Sequence, residues 1–417
     1  MEVKESRQCR ICGNRDLIPI LDLGVQALSG RFPSRDEPDP PQAPLALVKC
    51  NDAGSSDRCG LLQLKHSVSP DEMYQHDYGY RSGINQTMMD HLRDIVRNVQ
   101  EMASLQSGDV VLDIGSNDAT LLKCYQVPGL QKIGIDPTGE QFRQYYDSDI
   151  KLVSDYFSAA YYLKEFPGKP AKVVTSIAMF YDLKKPQDFV KDITEILHPE
   201  GVWVLEQSYM PTMLAMNSFD TICHEHLEYY SLKQIDWMLK KNGLRVLDIE
   251  LNDINGGSFR VYACHRKSAL KSKQSMIDSV FSSEKNLKLN SMIPYHEFRN
   301  RVLDIKDNLC RFLTEEKSKG KSIYLYGAST KGNVLLQFCH IDHTIITAAA
   351  DRNPEKVGRR TPATNIPIVS EEEARKAKPD YFLVLPWHFK NEFLAREKEY
   401  LSNGGHFIFP LPEIKII

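Results

Sequence analysis

The chain has 417 residues, 42% of them hydrophobic, and 52 Lys+Arg against 55 Asp+Glu leave a net charge of −3. That length predicts two or three domains, and a near-neutral balance without a long basic run argues against a nucleic-acid partner. No apolar run approaches the roughly 20 residues of a bilayer span, and the opening MEVKESRQCRICGN lacks the apolar core of a signal peptide. A cytoplasmic protein with no membrane partner is expected, in which nine cysteines, an odd number, stay as reduced thiols.

Residues 1–70 read as a small zinc-binding domain. Cys9-Arg10-Ile11-Cys12 is a CxxC followed at once by turn residues, and Cys50 and Cys59 follow a proline-broken stretch. Four thiolates suit one tetrahedral Zn²⁺ with no open position, so the site is expected to be structural. A segment with little apolar core of its own needs such a staple.

Residues 71–266 alternate between strand-like runs and helical periodicity. Leu92, Ile95, Val96, Val99 and Met102 fall at helical spacing, and apolar runs recur at 110–112, 131–135, 172–176 and 202–206, with a strand pair at 244–251 and 258–264. This predicts a largely parallel sheet with helices on both faces. The turn after the first run, Asp113-Ile-Gly115-Ser116-Asn117-Asp118, has one glycine where a dinucleotide fingerprint has three, and acids stand on both sides of it. Acids repel a pyrophosphate but suit a cationic cofactor such as S-adenosylmethionine (SAM). Asp136 ends the next strand, where an acid can bond ribose hydroxyls, and Asp155, Tyr156 and Phe157 follow the third strand region, where they can flank an adenine. Farther on, His224-Glu225-His226 is the densest titratable cluster. A carboxylate paired with an imidazole makes a general base near neutral pH. The HxH spacing can also serve a metal, although no third ligand is near.

Residues 267–417 begin with charged helices and continue as a second Rossmann-like α/β unit. The turn Tyr326-Gly327-Ala-Ser329-Thr-Lys331-Gly-Asn333 has hydroxyls and a lysine but no acid, which suits phosphate. Trp387 and His388 follow a later strand at the same sheet edge.

Together these segments resemble the SAM-dependent sugar C-methyltransferases that act on nucleotide-linked 4-keto deoxysugars. The resemblance rests on the amino-terminal cysteines with Cys59-Gly-Leu-Leu-Gln-Leu, Asp77-Tyr-Gly-Tyr with Ser82-Gly, Asp113-Ile-Gly-Ser-Asn-Asp, Ser176-Ile-Ala-Met-Phe-Tyr-Asp, His224-Glu-His, Gly256-Gly-Ser-Phe-Arg, Tyr326-Gly-Ala with Lys331-Gly-Asn, and Pro410-Leu-Pro-Glu. It implies a zinc domain, a class I SAM-binding domain that includes Ser176 in the cofactor site, and a carboxy-terminal α/β domain that helps hold the nucleotide sugar. It also implies a base, His226 paired with Glu225, that removes the proton beside the sugar ketone so that the enolate accepts a methyl group, with C-3' the expected position. Tyr78 and Tyr80 join His224 as further catalytic candidates. Two positions depart from the family pattern: Ala119 replaces a glycine, and Cys223 replaces the tyrosine of Tyr-His-Glu-His, with Tyr229 and Tyr230 also able to stand in. Alternatives are O- or N-methylation of a sugar or small metabolite, and a zinc-bearing scaffold without methyl transfer. A monomer or weak homo-oligomer is expected.

Overall fold

The computed structural model describes residues 2–69 and 81–417. Tyr78 and Tyr80 therefore lie outside the described residues. The amino-terminal segment forms β1 (Val3–Glu5), β2 (Leu17–Ala27), β3 (Gln42–Cys50), β4 (Leu62–Leu64) and β5 (His66–Val68). Strands β2, β3 and β4 pair antiparallel in sequence order, and β1 pairs with β5.

The helix Gln86–Ala103 leads into the central unit. Asn85 caps it by accepting a hydrogen bond from the Thr87 amide at 2.9 Å. It buries Leu92, Ile95, Val96 and Val99 of the stripe that its periodicity predicts, with Ala103 buried and Met102 half-buried at its end. The central strands are β6 (Val110–Ile114), β7 (Gln131–Ile135), β8 (Ile150–Val153), β9 (Ala171–Ile177) and β10 (Leu197–Ser208). After a two-residue β11 (Glu228–Tyr229) come β12 (Leu244–Asn252) and β13 (Ser258–His265). The sheet order is β12-β13-β10-β9-β6-β7-β8. Pairs from β8 through β10 are parallel, and β13 runs antiparallel to both its neighbours. The order reverses between β6 and β9, so the carboxyl ends of β6, β7, β9 and β10 open into one crevice.

Strand β11 does not join this sheet. It leaves the central unit and pairs with β4, Glu228 opposite Gln63 and Tyr229 opposite Leu62. The amino-terminal sheet thus gains a fourth strand from just beyond the His-Glu-His segment.

Two helices, Gln274–Asn286 and Ile293–Ser318, lead to the last unit. Its strands β14 (Ile323–Tyr326), β15 (Ala349–Asp351), β16 (Ile368–Ser370), β17 (Tyr381–Val384), β18 (His406–Phe409) and β19 (Lys415–Ile416) lie in the order β16-β15-β14-β17-β18-β19. All pair parallel except β19.

The amino-terminal segment has more core than its sequence promises, because it borrows its neighbours'. Cys9, Ile11, Cys50, Cys59 and Leu61 pack in one apolar cluster with Tyr230, Leu232 and the central sheet. Ile20, Leu23, Leu45 and Leu47 pack in another with the helix Ile293–Ser318 and the carboxy-terminal sheet.

Candidate functional site

A cavity of about 400 Å³ lies over the carboxyl ends of β6, β7, β9 and β10. Gly115, at φ +76°, turns the chain out of β6, and a Cβ there would sit 3.2 Å from Met179. The loop behind it folds over Gly134, where any Cβ would strike the Ser116 hydroxyl at 2.6 Å. Asp113, Gly115, Ser116, Asn117, Asp136, Tyr156 and Phe157 all line the cavity, as their sequence positions predict.

The acids differ in what they do. Asp136 accepts the Asn117 amide at 2.8 Å on one oxygen and the Thr138 amide at 2.7 Å on the other. The second oxygen also accepts the Thr138 hydroxyl at 2.7 Å, so the oxygen facing Asn117 is the one that keeps a lone pair for a further donor. Asp113 accepts the Thr175 hydroxyl at 2.5 Å, and burial pushes its carboxyl up to about 7. Asp118 is a correction: it does not line the cavity. It accepts the Gly83 amide at 3.0 Å and the Thr120 hydroxyl at 2.5 Å, and pins the chain segment at Ser82 against the cofactor loop. Asp155 is exposed and bonds the Tyr156 amide. Ser176 is fully buried and accepts the Trp203 indole N–H at 3.0 Å, because strand alternation turns it into the core.

On the opposite wall stands His226. Its Nδ1 lies 2.9 Å from the Thr221 carbonyl, and its ring packs at a tilt of 59° against Tyr181 with centroids 4.3 Å apart. A carbonyl can only accept, so Nδ1 carries the proton and Nε2 keeps its lone pair. Burial first, then the charge of Lys331, lowers the imidazole to about 4, against an opposing pull from Glu225. The ring is therefore neutral at physiological pH. Glu225 acts on His226 through its charge, and the hydrogen bond orienting the ring goes to backbone instead. His224 faces away from the cavity: its Nε2–H donates to the Ala43 carbonyl at 3.1 Å, tying the segment to β3. Cys223 is 2% exposed among Phe219, Ile222 and Leu227 and does not line the cavity. Tyr229 and Tyr230 are likewise buried.

Of the residues read for phosphate, Lys331 alone lines the cavity, with Nζ donating to the Asn255 carbonyl at 3.0 Å. The others do not line it, nor do Trp387 and His388. Tyr326 packs on Phe382, Phe393 and Phe407 and donates to Glu397 at 2.7 Å. Gly327, at φ +85°, clears Pro386, which a Cβ would meet at 2.7 Å. Ser329 caps the helix Thr330–Phe338 through the Gly332 amide, and Asn333 donates to the Ser29 carbonyl at 2.8 Å. Trp387 donates its indole N–H to Asp220 at 2.8 Å. His388 is lowered to about 3 by burial and Lys331. Residues to which the sequence reading gave no site role also line the cavity: Tyr181 and Asp182 after β9, Glu206, Gln207 and Ser208 at the end of β10, and Ser258 across from them. Their signal was the rule that strand carboxyl ends face the ligand.

The four cysteines meet as their spacing predicts. Their sulfurs all lie within 4.8 Å of one another, with Cys9–Cys59 at 3.4 Å and Cys12–Cys50 at 3.6 Å. A tetrahedron with Zn–S bonds of about 2.3 Å has sulfurs roughly 3.8 Å apart, so the set fits zinc closely.

Three family models match successive parts of the chain: a zinc binding domain at residues 9–74, a methyltransferase domain at 86–249 and a C-methyltransferase C-terminal domain at 253–412. The C-methyltransferase NovU of Streptomyces niveus is 29% identical over 419 residues, covering 100% of this chain and 98% of that protein. Along its whole length the chain is similar to C-methyltransferases with an amino-terminal zinc-binding domain. SAM is accordingly the cofactor of this methyltransferase. Partial likenesses among solved structures are lower. An O-methyltransferase family protein from Burkholderia thailandensis is 17% identical, with a TM-score of 0.36 over 48% of this chain and 64% of that one. The CcbJ methyltransferase from Streptomyces caelestis is 12% identical, with a TM-score of 0.32 over 42% of this chain and 89% of that one.

Proposed function

We propose that this methyltransferase transfers the methyl group of SAM to the carbon beside the ketone, C-3', of a nucleoside-diphosphate-linked 4-keto-6-deoxysugar, with His226 as the general base. The observation that carries the reading is the neutral His226 imidazole on the wall of the cofactor cavity, its Nδ1–H engaged and its Nε2 lone pair unprotonated. Bound SAM supplies an electrophilic methyl group. Nε2 of His226 takes the proton from the carbon next to the ketone, and the electron pair of that C–H bond becomes the enolate. The enolate carbon then forms the new C–C bond as the S–CH₃ bond breaks, and the imidazolium returns its proton to water. Lys331, the one lysine or arginine lining the cavity among the described residues, supplies positive charge for the enolate oxygen or the diphosphate. Asp136 supplies acceptors for ribose hydroxyls.

The same proposal divides the chain into a zinc-binding domain at 1–70, a methyltransferase domain at 71–266 and a nucleotide-sugar-binding domain at 267–417, in a cytoplasmic enzyme. No helix among the described residues is long and apolar enough to cross a membrane.

The test is solvent-deuterium exchange at the carbon beside the ketone, measured with S-adenosylhomocysteine bound. The wild type should exchange, whereas His226→Asn should lose exchange and turnover by roughly 10²–10⁴-fold with SAM affinity kept. Exchange at the wild-type rate in the variant would place the base elsewhere. A methoxy or N-methyl signal in the product NMR spectrum would instead identify an O- or N-methyltransferase.

A further inference from the structure

The base is held from a distance by the carboxy-terminal unit. Thr221, whose carbonyl takes the Nδ1 proton of His226, ends the short turn Phe219–Thr221. Asp220, in the middle of that turn, is 2% exposed. Its carboxyl accepts the Trp387 indole N–H at 2.8 Å, and burial pushes that carboxyl up, opposed in part by the charge of Lys331, the indole and the backbone amides of Asp220 and Thr221. Trp387 follows β17 of the carboxy-terminal sheet and is 6% exposed. A Cβ on Gly256 would lie 3.8 Å from the far edge of its indole, so the ring is set between the loop at Gly256 and the turn at Asp220. The Asn255 carbonyl in that loop receives Lys331 Nζ. One contiguous chain of contacts therefore runs from Lys331 and Trp387, through Asp220, to the peptide of Thr221 and the ring of His226.

We propose that Trp387 and Asp220 are positioning residues for the base: the indole–carboxylate hydrogen bond fixes the Phe219–Thr221 turn, and the turn's last carbonyl fixes His226 in the Nδ1–H tautomer that leaves Nε2 free to take a proton. The oriented acceptor is a backbone carbonyl, and the element that holds it belongs to the other sheet. The inference deepens the reading of His226 as base and rests on it for its catalytic consequence, but the tautomer itself is observable without turnover.

The experiment uses the full-length, zinc-loaded enzyme with S-adenosylhomocysteine bound. Long-range ¹H–¹⁵N correlation of ¹⁵N-histidine-labelled protein reads the tautomer, with His226→Asn identifying the signal. Wild type should show protonated Nδ1. Trp387→Phe keeps the ring and deletes only its donor. It should yield mixed tautomers at His226 and lower kcat by up to about 10²-fold, the scale of a misplaced catalytic group, with KM and S-adenosylhomocysteine affinity unchanged. Asp220→Asn, which keeps an acceptor oxygen for the indole, should keep the tautomer, whereas Asp220→Leu should lose it. This pair decides the matter if Trp387→Phe does not fold. A wild-type ring protonated on Nε2, or a Trp387→Phe or Asp220→Leu protein with unchanged tautomer and kcat, overturns the proposal. Deuterium exchange that survives in His226→Asn overturns the base reading instead, and leaves the tautomer result standing on its own.

Discussion

At the scale of single residues, the two walls of the cavity carry groups held in opposite ways. His226 is kept neutral by burial and by Lys331, whereas burial pushes the Asp113 carboxyl up against one hydroxyl donor. The second makes a stability prediction with a definite sign. The folded Asp113 carboxyl titrates at about 7, raised from 3.8. Between those values the folded state holds a proton that the unfolded chain has released. Its contribution therefore falls as pH rises through that window and is lost above it. Asp113→Asn stays neutral throughout and can still accept the Thr175 hydroxyl. Its melting temperature relative to wild type should rise from pH 5 to pH 8. The buried histidines titrate in both proteins and cancel in the difference. A constant offset across that range would show that Asp113 does not take up its proton on folding. If the ionised carboxylate meets a cationic group of the cofactor, the variant should also bind SAM more weakly at pH 8.

At the scale of elements, the loop after β6 explains a departure from the family pattern. Ala119 sits at φ 61° and ψ 14°, left-handed backbone that favours glycine, and its methyl is fully buried. An L-residue there costs about 1–2 kcal/mol, while burying the methyl returns about 0.8 kcal/mol. Ala119→Gly should therefore melt within about 1 kcal/mol of wild type and keep SAM affinity. Ala119→Val, β-branched in the same conformation, should lose both, as calorimetric titration and thermal melts would report. A valine variant that binds SAM normally would show that the loop has freedom this geometry denies it. The same loop shows what was legible in the sequence. Strand runs ending in Asp113 and Asp136 placed the cofactor wall, because a buried parallel strand and its small-residue turn leave a local pattern. Strand β8, Ile150–Val153, was legible only as a third strand region without bounds before Asp155, because it is a short edge strand with only two buried residues. Side-chain direction was not legible either: Ser176, Tyr326 and Asn333 sit in the right motifs but turn into cores that only the tertiary fold defines. The Thr221 carbonyl carries no sequence signal at all, since every residue has one.

At the scale of the whole molecule, the zinc unit is a wedge between the other two units, and that changes what its metal should control. A closed four-thiolate site suggests local stability alone. Yet Arg10, between the ligands Cys9 and Cys12, donates from Nη1 to the Leu64 carbonyl at 2.5 Å and places Nε 3.6 Å from Glu228. Glu228 lies two residues beyond His226, in the strand that pairs with β4. The Leu64 amide donates to the Leu227 carbonyl at 2.9 Å, and His224 is tied to Ala43 of β3. The segment carrying the base is thus stitched on both sides of His226 to the sheet that zinc staples. Glu228 is fully buried with its carboxylate pushed well up by burial, so a displaced Arg10 would leave it without its one ion-pair partner among the described residues. Removal of zinc by a chelator, or Cys12→Ser, should therefore lower the melting temperature and also slow deuterium exchange beside the ketone at matched S-adenosylhomocysteine occupancy. Arg10→Met, with zinc content intact, should slow exchange as well, which separates the route through Arg10 from general loss of fold. Zinc-free protein that keeps the wild-type exchange rate would confine the metal to local stability.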